Sequence, residues 1–368
     1  MLIFLVMQNE IPAEVLEALI NSPDIPVLSA GEINVERMNG GLINYTYKVT
    51  NGFKPGLLLQ QINKNVFATP VDVQKNYMAI WNYAVSSSAD LRLPAPNYFD
   101  ENRTLFIDKN ENYWRAFEFI DDSRMFSVAE NPAQANATAT TFATFTAAFT
   151  DFNVRLLKTV IPGFHDLRLR YRQFEEAIND ASYERLSNAI SMVDALKERE
   201  RYKNFYETII DSDEFPLRVM HHDAKIANVL FSNKTGDVIC PVDFDTLMPG
   251  YFFSDMGDMI RSMVGSKDEN STNADSLEIR KDFYEAILAG YMDVIGNQLT
   301  QSEKKYIHYA GLLMIYMQAL RFIADYLNGD VYYRINYPEQ NFDRAKNQLT
   351  LLQKLEDFLK KQYNFNNE

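Results

Sequence analysis

Cysteine is almost absent: the 368 residues include one, Cys240, so no intrachain disulfide and no multi-cysteine zinc site can form. A basic excess is missing as well, since 36 Lys and Arg face 50 Asp and Glu for a net charge of −14. That balance excludes an extended electropositive surface for nucleic acid and leaves room only for a local basic pocket. Long apolar runs are lacking. The opening stretch Met1–Met7 (MLIFLVM) falls far short of the roughly 20 residues that cross a bilayer, and has neither a basic flank nor a small-residue cleavage site. It reads as a first strand, a frayed end, or a start placed ahead of Met7. No internal repeat or low-complexity linker is present. The expectation is a reduced, soluble, cytoplasmic protein with neither a nucleic-acid nor a membrane partner.

What is there is ordinary globular material: 46% hydrophobic and 23% charged residues, at a length suited to about two compact units. Apolar spacing predicts helices over 11–22 and 71–88. The stretches 34–39, 43–50, 56–62, 104–108 and 113–120 are short, β-branched or aromatic, and punctuated by Gly, Asn and Asp, which is strand chemistry. Beyond about residue 121 the periodicity is helical, over 131–152, 171–210, 276–293 and 301–328. Phe142, Phe145 and Phe149 fall on one helix face. One strand-like island interrupts, 217–245, in which VLF and VICPVDF flank the turn residues SNKTGD as a hairpin.

That island holds the chemistry. His221-His222-Asp223-Ala224-Lys225-Ile226-Ala227-Asn228, followed by Asp243-Phe244-Asp245, has the H-x-D-x-x-x-x-N spacing of a kinase catalytic loop with an acidic metal ligand beyond it. Asp223 is placed to orient an acceptor hydroxyl and take its proton. Asn228 and Asp243 offer hard oxygens to Mg2+. Lys225 can reach the transferring phosphate, and His221 reads as a hydrogen-bonding support beneath the loop.

Two further segments suit a nucleotide. Gly40 and Gly41 form a turn between strand-like segments, close enough in backbone to offer amides to phosphates, with Asn44 and Thr46 as neighbouring contacts. Glu118, Phe119 and Ile120 close an aromatic strand where two lobes should join, and supply flat walls and backbone groups for an adenine.

These stretches resemble the aminoglycoside phosphotransferase and choline kinase superfamily. The likeness runs through GGLINYTYKV, LLLQQINKNVF, YWRAFEFI, IPGFHDLRLRYRQF, HHDAKIANVLF and PVDFDTLMPGYFFSDMGDMIR, then RFIADYLNGDVYY and NFDRAKNQL. Within it, the DFDTLMPG and RFIADYLNGD blocks are most similar to the N-acetylhexosamine 1-kinase branch. The resemblance implies an α+β, protein-kinase-like fold, with a small mixed β-sheet lobe over 1–121 and a larger, mostly helical lobe over 122–368. It implies ATP and Mg2+, with Asp223 as base and Asn228 and Asp243 as metal ligands. Asp245 joins the metal site or caps the following turn. Asp255 and Asp258 brace the loop, and Arg261 pairs with one of them.

The acceptor implied is a small molecule, an amino sugar, met by His165, Arg172, Arg321, Asp325 and Tyr326, in a monomer or homodimer. Choline, an amino alcohol or an aminoglycoside is the alternative acceptor, and a catalytically silent nucleotide-binding relative the other alternative. One departure stands out. Kinases of this fold carry a Lys or Arg on the third strand, whereas here it reads Leu57-Leu58-Leu59-Gln60-Gln61-Ile62. Gln60 aligns best with that position and Gln61 is the alternative. Phosphate binding then leans on Mg2+, backbone amides or another cation.

Overall fold

The computed structural model describes residues 11–22, 33–38, 43–51, 56–87, 89–210 and 212–366. The Met1–Met7 stretch and the Gly40-Gly41 turn lie outside the described residues. The architecture is α+β, and the chain forms two compact units. The first is built from Met1–Arg124, Asp151–Pro162 and Leu230–Pro249, the second from Met125–Thr150, Gly163–Val229 and Gly250–Glu368. The chain thus leaves and re-enters the first unit twice, where composition alone suggests one boundary near residue 121.

In the first unit a short helix α1 (Ala13–Ile20) precedes strands β1 (Asn34–Arg37), β2 (Tyr45–Thr50) and β3 (Leu57–Ile62). Helix α2 (Pro70–Ser87) follows, then the two-residue strands β4 (Pro96–Asn97) and β5 (Phe106–Ile107), and β6 (Tyr113–Glu118). The sheet order is β1-β2-β3-β6-β4, with β5 also on β6 and every pairing antiparallel. Alternation along the strands sorts the residues. Tyr47, Val49, Leu57, Leu59, Trp114 and Ala116 join Val15 and Leu19 of α1 in one core, while Thr46, Gln60 and Arg115 turn to the other face.

Asn76 on α2 ties the returning segments down. Its side chain donates to Lys158 O and Leu247 O, both at 2.8 Å, and accepts from Lys158 N at 2.8 Å. At 1% exposure, such a group costs about 1–3 kcal/mol if left unpaired. The expected hairpin forms from strands Val229–Ser232 and Val238–Pro241.

The second unit is helical: α3 (Pro132–Ala148), α4 (Leu167–Asp180), α5 (Tyr183–Lys197), α6 (Arg201–Ile210), α7 (Phe253–Met263), α8 (Lys281–Ile295), α9 (Gln301–Lys305), α10 (Tyr309–Leu327) and α11 (Gln340–Tyr363). Two long periodic stretches break. Residues 171–210 divide between α4, α5 and α6, because Ser182 accepts from Arg185 N and starts a new helix. Residues 301–328 divide after Lys305, α9 being opened by a Thr300–Glu303 capping box. Helix α10 is the axis of this unit and is buried almost throughout. It is also the one described helix long and apolar enough to cross a membrane. Gly257 permits its close contact with α7, since a Cβ there would lie 2.3 Å from Ala310 O. The α3 face carrying Phe142, Phe145 and Phe149 is buried as its spacing predicts.

Candidate active site

Within the second unit, strand Arg218–Met220 runs into the loop of His221–Asn228, which ends in the 3-10 turn Ile226–Asn228. The loop hangs from one carboxylate. Asp255, fully buried on α7, accepts the backbone N–H of His221 at 2.9 Å and of His222 at 2.7 Å. Burial, only partly offset by those donors, pushes Asp255 up to about 7. His222 holds a left-handed backbone (φ 65°), a conformation costing of order 1–3 kcal/mol that surrounding contacts must sustain. Gly250 leaves room for its ring, since a Cβ there would meet Nε2 at 2.4 Å. His221 is fully buried, edge-on to Phe142 with ring centroids 5.0 Å apart, and its Nδ1 accepts from Asp223 N at 3.3 Å.

Three of the predicted residues meet here. Lys225 Nζ donates to Asp223 Oδ2 at 2.8 Å, and Asn228 Nδ2 donates to the same oxygen and to Asp223 O, each at 2.8 Å. Burial pulls the Asp223 carboxyl upward, but Lys225, the charge of His221 and the Asn228 amide outweigh it and hold it below the ordinary carboxylate range. Asp223 is therefore ionised at neutral pH and able to accept from a hydroxyl. With its Nδ2 committed to Asp223, Asn228 keeps its Oδ1 for another partner, as a hard-oxygen ligand requires. Asp258 pairs with Arg261 Nε at 2.9 Å, and Arg261 also holds Glu269 at 2.8 Å.

A second polar cluster belongs to the first unit. Thr46 and Gln60 are register partners, as are Gln60 and Arg115. Gln60 Nε2 donates to Thr46 Oγ1 at 3.2 Å, while Gln60 Oε1 accepts from Arg115 Nε at 3.1 Å and Nη2 at 2.9 Å. Arg115 Nη2 also donates to Asp245 Oδ1, and Asn44 Nδ2 donates to Asp245 Oδ2 at 2.5 Å. Asn44, Thr46, Gln60 and Asp245 are thus joined into one network. Gln61 points to the opposite face, opposite Trp114 in register. Arg115 is the member that sequence reasoning missed; YWRAFEFI drew attention to its later residues only. Asp243 enters the 3-10 turn Phe244–Thr246 from a left-handed backbone (φ 66°, ψ 64°). At the strand end, Glu118 N and Phe119 N donate to Ala95 O and Gly56 O, at 2.8 and 3.0 Å, and Ile120 O accepts from Ser123 Oγ at 2.6 Å.

The predicted acceptor residues separate. His165 stacks on Phe164 with centroids 4.6 Å apart and lies 5.1 Å from the ring of His222, which adjoins Asp223 in sequence. Burial, then the charges of His222, Arg321 and Arg170, hold His165 well below the usual histidine range, so it is neutral at pH 7. Its Nδ1 is buried without a hydrogen-bond partner among the described residues. Arg321 sits 5.6 Å from the Phe164 ring, 5.9 Å from Tyr332 and 5.5 Å from Tyr333, and bonds Gln318 Oε1 at 3.1 Å. Arg170, missed from the sequence, is lowered to about 10 by burial and by Arg321. Neither arginine pairs with a carboxylate among the described residues. By contrast, Arg172 is exposed and faces Glu176 at 3.9 Å. Asp325 is spent on the backbone N–H groups of Val331, Tyr332 and Tyr333, and Tyr326 is buried beneath Arg185.

Comparison with known proteins places this geometry. A family model described as the phosphotransferase enzyme family matches residues 34–291. Among solved structures, a microcompartment-associated aminopropanol kinase aligns at a TM-score of 0.63 and 15% identity, over 95% of this chain and 97% of that one. Choline kinase from Cryptosporidium parvum Iowa II aligns at 0.58 and 16%, over 96% and 97%. An amicoumacin kinase in complex with AMP-PNP, Ca2+ and Ami aligns at 0.57 and 12%, over 87% and 89%. At such identities the likeness is one of fold.

Proposed function

Since the chain belongs to the phosphotransferase enzyme family, a group of enzymes acting on hydroxyl acceptors, we propose that it transfers the γ-phosphoryl group of ATP to the anomeric hydroxyl of an N-acetylhexosamine. The observation that carries the acceptor class is the cluster beside His222: two arginines without carboxylate partners among the described residues, Arg321 over the rings of Phe164, Tyr332 and Tyr333, and Arg170 bonded to Phe164 O. A choline-type or aminoglycoside acceptor brings positive charge and calls for carboxylates and an aromatic cage. Two guanidiniums repel such a ligand and instead offer planar donors to hydroxyl and amide oxygens. The neutral His165, with Nδ1 unpartnered, suits an uncharged polar group in the same place.

In this reading Asp223 accepts the hydrogen bond of the attacking hydroxyl, aims its oxygen at the γ-phosphorus and takes its proton as transfer proceeds. Lys225, already on Asp223, offsets charge on the moving phosphoryl group. Asn44, Thr46 and Gln60 attend the donor's phosphates, and the Glu118–Ile120 strand end its adenine. Among the described residues no group of three or more His, Cys, Asp and Glu gathers for a metal. Asn228 and Asp243 would each offer a hard oxygen to a divalent ion, Mg2+ in this reading, whose shell phosphate oxygens and water would otherwise fill, as suits that ion. When bound it neutralises phosphate charge. The amicoumacin kinase complexed with AMP-PNP and Ca2+ lends support to this pairing.

The test is ADP release with Mg·ATP against N-acetylgalactosamine, N-acetylglucosamine, plain hexoses, choline, aminopropanol and an aminoglycoside. Acetamido-sugar-dependent turnover giving a sugar 1-phosphate is the expected result. Turnover with an amino alcohol alone would keep the phosphotransferase and discard the sugar.

A further inference from the structure

The third strand of this chain carries no lysine or arginine, yet ATP's phosphates call for a fixed cation. We propose that Arg115, on the neighbouring strand β6, supplies it. The proposal rests on the ATP-dependent reading above and assigns the donor's phosphate contact to a residue outside the third strand.

Register makes the substitution possible. Arg115 is the direct partner of Gln60, so its backbone stands one strand spacing, about 4.8 Å, from the position the missing charge would occupy. Its side chain leans back across that gap, with Nε and Nη2 on Gln60 Oε1 at 3.1 and 2.9 Å. Arg115 is also the one lysine or arginine among the described residues that is fully buried, at 2% exposure. Burying a guanidinium contributes little to stability even when it is paired, and an apolar pair of the same volume often does better. Retaining one here points to work done on a ligand.

The way the charge is held supports the same assignment. Asp245 takes one corner of the guanidinium. A phosphate-binding lysine in protein kinases is likewise held by a carboxylate, so the Arg115–Asp245 pair reproduces that arrangement from the neighbouring strand and the 3-10 turn Phe244–Thr246. Nη1 makes no hydrogen bond to any described residue, which leaves one nitrogen of the charged guanidinium to donate to a phosphate oxygen. Thr46 and Asn44 flank the cluster through Gln60 and Asp245. In this arrangement Gln60 aims the cation.

Two variants of the full chain test this, Arg115→Gln and the exchange Gln60→Arg with Arg115→Gln, each titrated calorimetrically with Mg·ATP and with adenosine. Arg115→Gln is expected to weaken ATP about 30-fold or more while adenosine changes less than about twofold, since only phosphates meet the lost charge. The exchange returns the guanidinium to the third strand beside Asp245 and is expected to bring ATP within about fivefold of the parent. Should Arg115→Gln fail to fold, the exchange alone decides. Equal losses for ATP and adenosine, ATP binding indifferent to Arg115→Gln, or a folded exchange variant that does not bind ATP would overturn the proposal. A parent chain that binds adenosine but not ATP would overturn it together with the reading beneath it. No acceptor is present in these titrations, so an error about the sugar leaves their outcome readable.

Discussion

In the second unit Asp223, its lysine and its asparagine all fall within His221–Asn228, whereas the cluster in the first unit joins residues as far apart as Asn44 and Asp245, 201 positions along the chain. The loop is a local device. A turn brings Lys225 and Asn228 back onto Asp223, and one carboxylate from α7 fixes the backbone beneath them. The strand cluster has no local logic, because its members meet only when three strands pair in register and a distant hairpin returns. The two ion pairs differ accordingly: Lys225–Asp223 is partly exposed at 33% and 29%, and Arg115–Asp245 is buried at 3% and 5%.

The largest expected effect breaks the local cluster. Asp223→Asn keeps the hydrogen-bonding shape of the loop and removes the base, so turnover falls by about 10²-fold or more with ATP affinity retained. ADP release and calorimetric titration of the same preparation measure both, and undiminished turnover would remove Asp223 from the mechanism. Next comes the non-local pair, judged by stability. Arg115→Ala leaves Asp245 charged and buried and should cost about 3–5 kcal/mol in urea unfolding. Lys225→Ala, which opens the partly exposed pair, should cost no more than about 1 kcal/mol. Similar costs for the two would mean that burial does not separate them.

A third variant addresses the acceptor cluster. Arg321→Met removes a guanidinium that already has an uncompensated neighbour, so stability should hold or rise slightly while KM for the acetamido sugar increases about tenfold or more. An unchanged KM would exclude Arg321 from the acceptor site. The last effect concerns the support of the loop and is the smallest at any single step of pH. Asp255 is raised in the folded protein to about 7, against about 3.9 for an unperturbed carboxyl. A raised carboxyl contributes stability that is fully present below about pH 4 and is lost as pH rises through 7. The stability advantage of the parent over Asp255→Asn should therefore shrink from about pH 4 to pH 7, by at most about 1.4 kcal/mol per pH unit, and level off above it. Thermal unfolding across that range reads it, and a widening gap would reverse the sign.

Much of this was legible beforehand. The catalytic loop, the hairpin after it, the strands of the first unit and the α3 face of Phe142, Phe145 and Phe149 all come from spacing and local composition. The bracing by Asp255 and the Asp258–Arg261 pair follow the expectation for SDMGDMIR. The helix breaks at Ser182, a capped junction, and after Lys305 were not read, because apolar periodicity runs through such a junction without losing phase. Arg115 and Arg170 were passed over for a related reason. A single arginine in an aromatic strand or an amphipathic helix looks like any surface charge until burial is known. Asp325 and Tyr326 drew attention by standing beside Arg321, yet Asp325 closes the Val331–Tyr333 turn instead.

By itself, then, the sequence determined what depends on neighbours a few residues apart: which segments alternate as strands, that Asp223, Lys225 and Asn228 share one loop, and that the third strand has no cation. Tertiary structure decided where a cation is found. Pairing β3 with β6 sets Arg115 opposite Gln60, and the returning hairpin brings a carboxylate to hold it. Register and burial belong to pairs of distant segments, and no window along one chain contains both members of the pair.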